Sequence, residues 1–175
     1  SGRGLTIVLA DEEERMNPRL MKKMISNNNV SILQMTPSRM LLLKEVDRVF
    51  QCLSRVKKIM IGGEPFPEKL LKDLQQHTSA QIYNVYGPTE TTIWSTISNL
   101  TDSDTVDVGW PIANTKVYIM DEKMQPVKTG EIGEIVIAGK GGMTDELKTQ
   151  VEAMGLGDKI YFTGYLHSCK YSPFL

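Results

Sequence analysis

The run Lys58-Ile-Met-Ile-Gly-Gly-Glu-Pro-Phe-Pro67, followed through residues 68–80 by Gln81-Ile-Tyr-Asn-Val-Tyr-Gly-Pro88, decides the fold. Lys58-Ile-Met-Ile61 is short, apolar and β-branched, which reads as a buried strand broken by Gly62-Gly63-Glu64-Pro65. Pro67 then opens a helix with Leu70, Leu71 and Leu74 on one face. Gln81 to Tyr86 is a second strand that stops at Gly87-Pro88. Strand, helix and strand in this order predict a parallel pair. Upstream the pattern repeats. Val30-Ser-Ile-Leu-Gln34 reads as a strand, with a helix opening at Thr36-Pro37 and running through Met40 and Leu43. A helix starts at Asn17-Pro18 and ends near Ser26 in Asn27-Asn28-Asn29, and residues 5–10 read as a further buried strand. Alternation of this kind predicts a sheet covered by helices on both faces.

Downstream of about Asn99 the character changes. Thr115-Lys-Val-Tyr-Ile119 and Glu134-Ile-Val-Ile137 read as strands joined through Pro126 and Gly130 with no helix between them. From Met143 a helix over about 145–154 and a strand at 160–162 are predicted. The expected fold class is α/β: a largely parallel sheet with flanking helices (residues 1–100), a small β-rich subdomain (101–142) and a helix-strand tail (143–175).

Composition narrows the function. Hydrophobic residues make up 41% of the 175 residues, enough for a core, and 20 Lys+Arg nearly balance 21 Asp+Glu. That balance gives no reason to expect nucleic acid or an anionic membrane as partner. No apolar run reaches the ~20 residues of a membrane helix. Cys52 and Cys169 lie far apart and outside any C-x-x-C pair, which fits free thiols in a reducing, cytoplasmic compartment. His77 and His167 are too few for a zinc site of the usual type. The opening Ser1-Gly-Arg-Gly lacks an initiator Met and runs straight into an apolar stretch, as in a piece of a longer chain. Asp11-Glu-Glu-Glu14 is expected to be a solvated loop. Asp102, Asp104 and Asp107 superficially suggest a calcium loop, without EF-hand spacing.

The stretch Asn84-Val-Tyr-Gly-Pro-Thr-Glu-Thr-Thr92 carries the chemistry. It ends a strand of an α/β sheet, where ligands bind. Gly87-Pro88 turns the chain and permits close backbone approach. Thr89, Thr91 and Thr92 offer hydroxyls for phosphate oxygens, and Glu90 is a hard oxygen ligand of the kind Mg²⁺ takes. Tyr86 offers a flat ring on which a base can stack. A polar turn that merely caps a helix uses the same residue types, so the residues alone leave both readings open.

Asn84 to Glu90 resembles the N-x-Y-G-P-T-E signature of the adenylation domains of nonribosomal peptide synthetases. Gly62-Gly63-Glu64 resembles that family's G-G-E turn, Val108-Gly-Trp-Pro-Ile-Ala-Asn114 its G-x-P-I-x-N segment, and Gly130-Glu-Ile-Gly-Glu-Ile-Val-Ile137 its G-E-L-x-I strand. The order and spacing hold through about residue 142. The resemblance implies an enzyme that activates an amino acid with ATP, releasing pyrophosphate and passing the acyl group to the phosphopantetheine thiol of a carrier protein. It implies that Tyr86 stacks on adenine, with Gly63, Glu64 and Pro65 along the other side and Gly87 turning the chain. Asn84 would bind the adenine amino group, Thr89 the α-phosphate, and Glu90 the Mg²⁺. Ser38, Met60, Gly62, Val85, Ile93 and Trp94 would line the substrate pocket, which favours an uncharged, fairly apolar amino acid. At Met60 and Val85, plain core packing explains the residue equally well.

The family's phosphate loop and its C-terminal lid with a catalytic lysine have no counterpart here, so the chain is expected to be inactive alone. Tyr161-Phe-Thr-Gly-Tyr165 places a tyrosine where the family's Y-x-T-G-D carries an aspartate. Residues 143–166 also resemble, weakly, the nucleotide-sugar domain of retaining glycosyltransferases. Two rivals follow: a glycosyltransferase piece, and a non-catalytic remnant that self-associates through exposed edges.

Overall fold

In a computed structural model of the chain, residues 4, 6–87, 94–121, 123, 125–139 and 166–169 are described. Four helices are found there, α1 (Glu12–Met16), α2 (Pro18–Asn27), α3 (Pro37–Val46) and α4 (Glu68–His77). The strands are β1 (Ile32–Met35), β2 (Lys58–Gly62), β3 (Gln81–Tyr86), β4 (Thr96–Asn99), β5 (Trp110–Pro111), β6 (Thr115–Met120), β7 (Glu134–Gly139) and β8 (Leu166–Cys169). One sheet has the order β1-β2-β3-β4-β5 and a second the order β6-β7-β8. The α/β expectation, a largely parallel sheet followed by a small β-rich part, holds.

The chain divides into two compact units, residues 1–85 with 98–108, and residues 86–97 with 109–175. In the first unit β1, β2 and β3 run parallel, with Leu33 beside Ile59, Ile59 beside Ile82 and Gly62 beside Val85. Strand alternation sends Leu33, Ile59, Ile61 and Ile82 to one face. There they join Met21 and Ile25 of α2, Met40 and Leu43 of α3, and Leu70, Leu71 and Leu74 of α4 in a single core. Right-handed crossovers that step along a sheet in one direction put every connecting helix on the same side. Coverage of both faces is therefore corrected for the described residues. On the second face Ile32 is 52% exposed, Gln34 is exposed, and Met60 and Tyr83 are half-buried.

Residues 6–10 form no strand, and Ile7 and Leu9 are 69% and 83% exposed. An apolar run becomes a strand only with a ladder partner, and no described strand supplies one. The acidic run is no loop either: it forms α1. Asp11 Oδ1 accepts from the Glu14 amide at 2.7 Å and Glu14 returns a carboxylate to the Asp11 amide at 3.0 Å, a reciprocal cap.

A turn of 3₁₀ helix at Gln51–Leu53 follows α3. Buried Asp47 accepts from the Cys52 amide at 2.8 Å and faces Lys22 at 3.5 Å. Burial pushes the Asp47 carboxyl up, but the Cys52 amide and thiol, the Gln51 amide and Lys22 together hold it below its ordinary value. Burial, then Asp47, push the Cys52 thiol up to about 12, so this cysteine is a protonated core side chain.

In the second unit β6 and β7 pair antiparallel from Thr115 opposite Gly139 to Met120 opposite Glu134, and β7 pairs with β8. Val136 and Ile137, on opposite faces of the central strand, are both fully buried. The predicted helix over 145–154 and strand at 160–162 lie outside the described residues.

Candidate functional site

The carboxyl ends of β1, β2 and β3 gather three of the segments singled out in the sequence. β1 leads into Thr36-Pro37-Ser38, β2 into Gly62-Gly63-Glu64-Pro65, and β3 ends at Asn84-Val85-Tyr86. Parallel register sets Gly62 beside Val85 and Ile61 beside Asn84. Gly62 is buried, while Gly63, Glu64 and Pro65 are exposed at the rim.

Gly63 sits at φ +85°, a left-handed conformation that glycine adopts without strain. That turn folds Glu64 back over the start of α3. The Ser38 amide donates to Glu64 Oε2 at 3.1 Å and the Ser38 hydroxyl to Oε1 at 2.8 Å. Helix α3 needs this acceptor, because its N-cap Thr36 makes no side-chain cap bond and Pro37 has no N–H. The Ser38 hydroxyl above all, helped by its amide, the Thr36 hydroxyl and the charge of Arg39, holds the Glu64 carboxyl below its ordinary value, against desolvation, the second-largest effect. Ser38 is thus tied to the turn after β2. Thr36-Pro37-Ser38, a helix start without its own cap, was the signal for an acceptor from elsewhere.

Asn84, 8% exposed, donates from Nδ2 to the Asp107 carbonyl at 2.6 Å. A carbonyl accepts only, so this contact fixes the amide orientation and leaves Oδ1 as the end not used in it. Val85 is buried and Met60 half-buried, both on the sheet face without helices. Tyr86 and Gly87 are half-buried and belong to the second unit with Trp94, where the Ser95 amide donates to the Tyr86 carbonyl at 2.7 Å. Thr89, Glu90 and Ile93 lie outside the described residues. Among the described residues no group of three or more His, Cys, Asp or Glu is placed to hold a metal. A surface cleft of about 620 Å³ beside α2, walled by Arg19, Lys22, Lys23 and Glu45, contains none of the candidate residues.

Parallel strands whose carboxyl ends carry a glycine turn and a fixed carboxamide form a ligand edge of the α/β type. Residues 2–145 match the family described as AMP-binding enzyme, and the chain belongs to that family. It is 39% identical over 143 residues to a dimodular nonribosomal peptide synthase of Bacillus subtilis (strain 168), covering 79% of this chain and 6% of that protein. Tyrocidine synthase 3 of Brevibacillus parabrevis is 37% identical over 123 residues, 67% of this chain and 2% of its own length. Surfactin synthase subunit 1 of Bacillus subtilis (strain 168) is 30% identical over 177 aligned positions and covers 93% of this chain, a share that residues 1–142 alone cannot supply. The chain thus spans only a small part of these curated relatives. Among solved structures it is similar to holo-AB3403, a four-domain nonribosomal peptide synthetase bound to AMP and glycine, with a TM-score of 0.66, 28% identity, and 79% of this chain on 11% of that one. PA1221, a protein containing adenylation and carrier-protein domains, gives 0.62, 27%, 70% and 26%. None of these relatives is a glycosyltransferase.

Proposed function

We propose that this chain is part of an amino-acid-activating adenylation domain and contributes its adenine-binding edge. The observation that carries the reading is an exposed Gly63-Glu64-Pro65 strip at the end of β2, on the strand paired with the one that carries an Asn84 carboxamide whose donor is already engaged. An adenine amino group donates hydrogens, and Oδ1 accepts them. A strip that opens on a residue without a side chain lets the backbone come close to one face of a base.

The parent reaction would join ATP and an amino acid into an aminoacyl adenylate with release of pyrophosphate. In it Tyr86, Thr89 and Glu90 keep the roles that the resemblance gives them: base stacking, α-phosphate contact and Mg²⁺ binding. Ser38, Met60, Gly62, Val85, Ile93 and Trp94 line the pocket for an uncharged amino acid. The adenylate would go to a carrier-protein thiol, in the cytoplasm, and this chain alone would bind nucleotide without completing the reaction.

Calorimetric titration with AMP plus Mg²⁺, with a uridine diphosphate sugar as comparator, tests this reading. AMP binding without sugar binding is the expected result, and sugar binding alone would sink it. Self-association is a second reading, favoured by the outermost position of β1, where Ile32 and Gln34 are exposed. Light scattering across a concentration series decides it: a constant monomer mass removes it.

A further inference from the structure

The turn after β2 and the start of α3 share one side chain. Glu64 reaches across 26 positions of sequence: its Oε2 accepts from the Ser38 amide at 3.1 Å and its Oε1 from the Ser38 hydroxyl at 2.8 Å. The first turn of α3 depends on this carboxylate, since Thr36 makes no side-chain cap bond and Pro37 has no N–H. The carboxylate depends in turn on the backbone of Gly63, whose φ of +85° aims Glu64 back over the helix. The turn lies close against that helix start: a Cβ on Gly63 would stand 3.7 Å from the Thr36 methyl group. Thr36, Ser38, Gly63 and Glu64 all belong to the first unit. The backbone of the turn is open on its other side, for Gly63, Glu64 and Pro65 are exposed.

We infer that Glu64 is a positioning residue that couples the two halves of the site, so that the nucleotide strip and the substrate-pocket wall at Ser38 hold or lose their geometry together. The inference rests on the adenine-edge reading above and adds to it a path between nucleotide and amino acid. The strip that would lie along the base and the carboxylate that caps α3 are parts of one three-residue turn. A base bound against that turn selects the conformation in which Glu64 reaches Ser38, and the cap is then made for more of the time. Coupling of this kind is reciprocal: an ordered α3 start strengthens nucleotide binding by the same factor. Ser38 acts on the nucleotide in this way without touching it.

Amide NMR of the 175-residue chain, titrated with AMP plus Mg²⁺, tests the assignment. AMP is expected to move the Gly63 and Glu64 amide signals and to slow hydrogen exchange at the Ser38 amide by about fivefold, the low end for coupled sites. A cap with a purely structural role would leave Ser38 exchange indifferent to nucleotide. In Glu64→Ala, AMP should still move the Gly63 signal and no longer slow exchange at Ser38. In the reverse direction, Ser38→Ala loses the shorter of the two bonds and should weaken AMP by about two- to fivefold, with no further loss when it is added to Glu64→Ala. AMP that moves the Gly63 and Glu64 signals while Ser38 exchange stays the same overturns the inference and leaves the adenine-edge reading standing. So does an equal slowing at Ser38 in Glu64→Ala, or an unchanged AMP affinity in Ser38→Ala. No binding of AMP by the unaltered chain, or binding that leaves the Gly63 and Glu64 signals in place, overturns both.

Discussion

The three parallel strands β1–β3 and the antiparallel pair β6–β7 are held in different ways. In the first, one face carries Leu33, Ile59, Ile61 and Ile82 beneath three helices, and the opposite face leaves Ile32 and Gln34 exposed. In the second, β6 leaves Tyr118 and Ile119 each 37% exposed, and the six-rung ladder to β7 supplies the order. Apolar burial scales with area removed from water, while a ladder bond contributes only about 0.5–1.5 kcal/mol net. The helix-covered sheet should therefore be sensitive to side-chain volume, and the pair to backbone geometry.

The largest effect tests the first half of that contrast. Leu71, fully buried, should cost about 2–5 kcal/mol when changed to Ala, whereas Met60→Ala on the open face should cost less than about 1. Urea denaturation of both variants measures the difference, and equal losses would break the two-face picture.

Next comes Asp47→Ala, which orphans the buried Cys52 amide and should cost about 1–3 kcal/mol at pH 7. Its carboxyl lies below the ordinary value in the folded state. The stability it lends is therefore complete above the usual carboxylate range, near 4, and is lost as pH falls through the lowered value. Melting temperatures between pH 7 and 3 should fall less steeply in the variant than in the unaltered chain.

Gly133→Ala sharpens the second half. A Cβ there would stand 2.6 Å from the Met120 carbonyl oxygen and 2.8 Å from Ile119 Cγ2, so strands β6 and β7 must shift. A loss of about 1–2 kcal/mol confined to that pair is expected. Hydrogen exchange should rise at residues 115–120 and stay unchanged at 58–62.

The smallest effect is Glu64→Gln. The carboxylate is exposed, and its cap on α3 should be worth less than about 1 kcal/mol. Because its folded value is lowered, that difference should be present at neutral pH and vanish in acid. A difference that persists at pH 3 would mean the charge is irrelevant to the cap.

Legibility followed the same divide. β3 was readable residue for residue and α3 and α4 from their prolines, because those signals are local. Residues 6–10 misled, since apolar spacing reports a tendency to be buried and not the presence of a partner. α1 was readable in principle from Asp11 and Glu14, a cap signature hidden inside what looked like a charge run. On the site, Gly62, Glu64 and Asn84 were found by motif and do lie at neighbouring strand ends. Asp107 was not, because it was weighed only as one of three acids in a loop. Its meaning comes from Asn84, and Asn84 to Asp107 is a contact that no pattern of neighbouring residues encodes.

That contact has a consequence for synthesis. The acceptor for Asn84 lies 23 residues further along the chain. On a ribosome, β1, β2 and β3 leave the exit tunnel before residue 107 does. The sheet can then assemble while its carboxamide is still unaimed, and the orientation of Asn84 is set later than the scaffold that bears it.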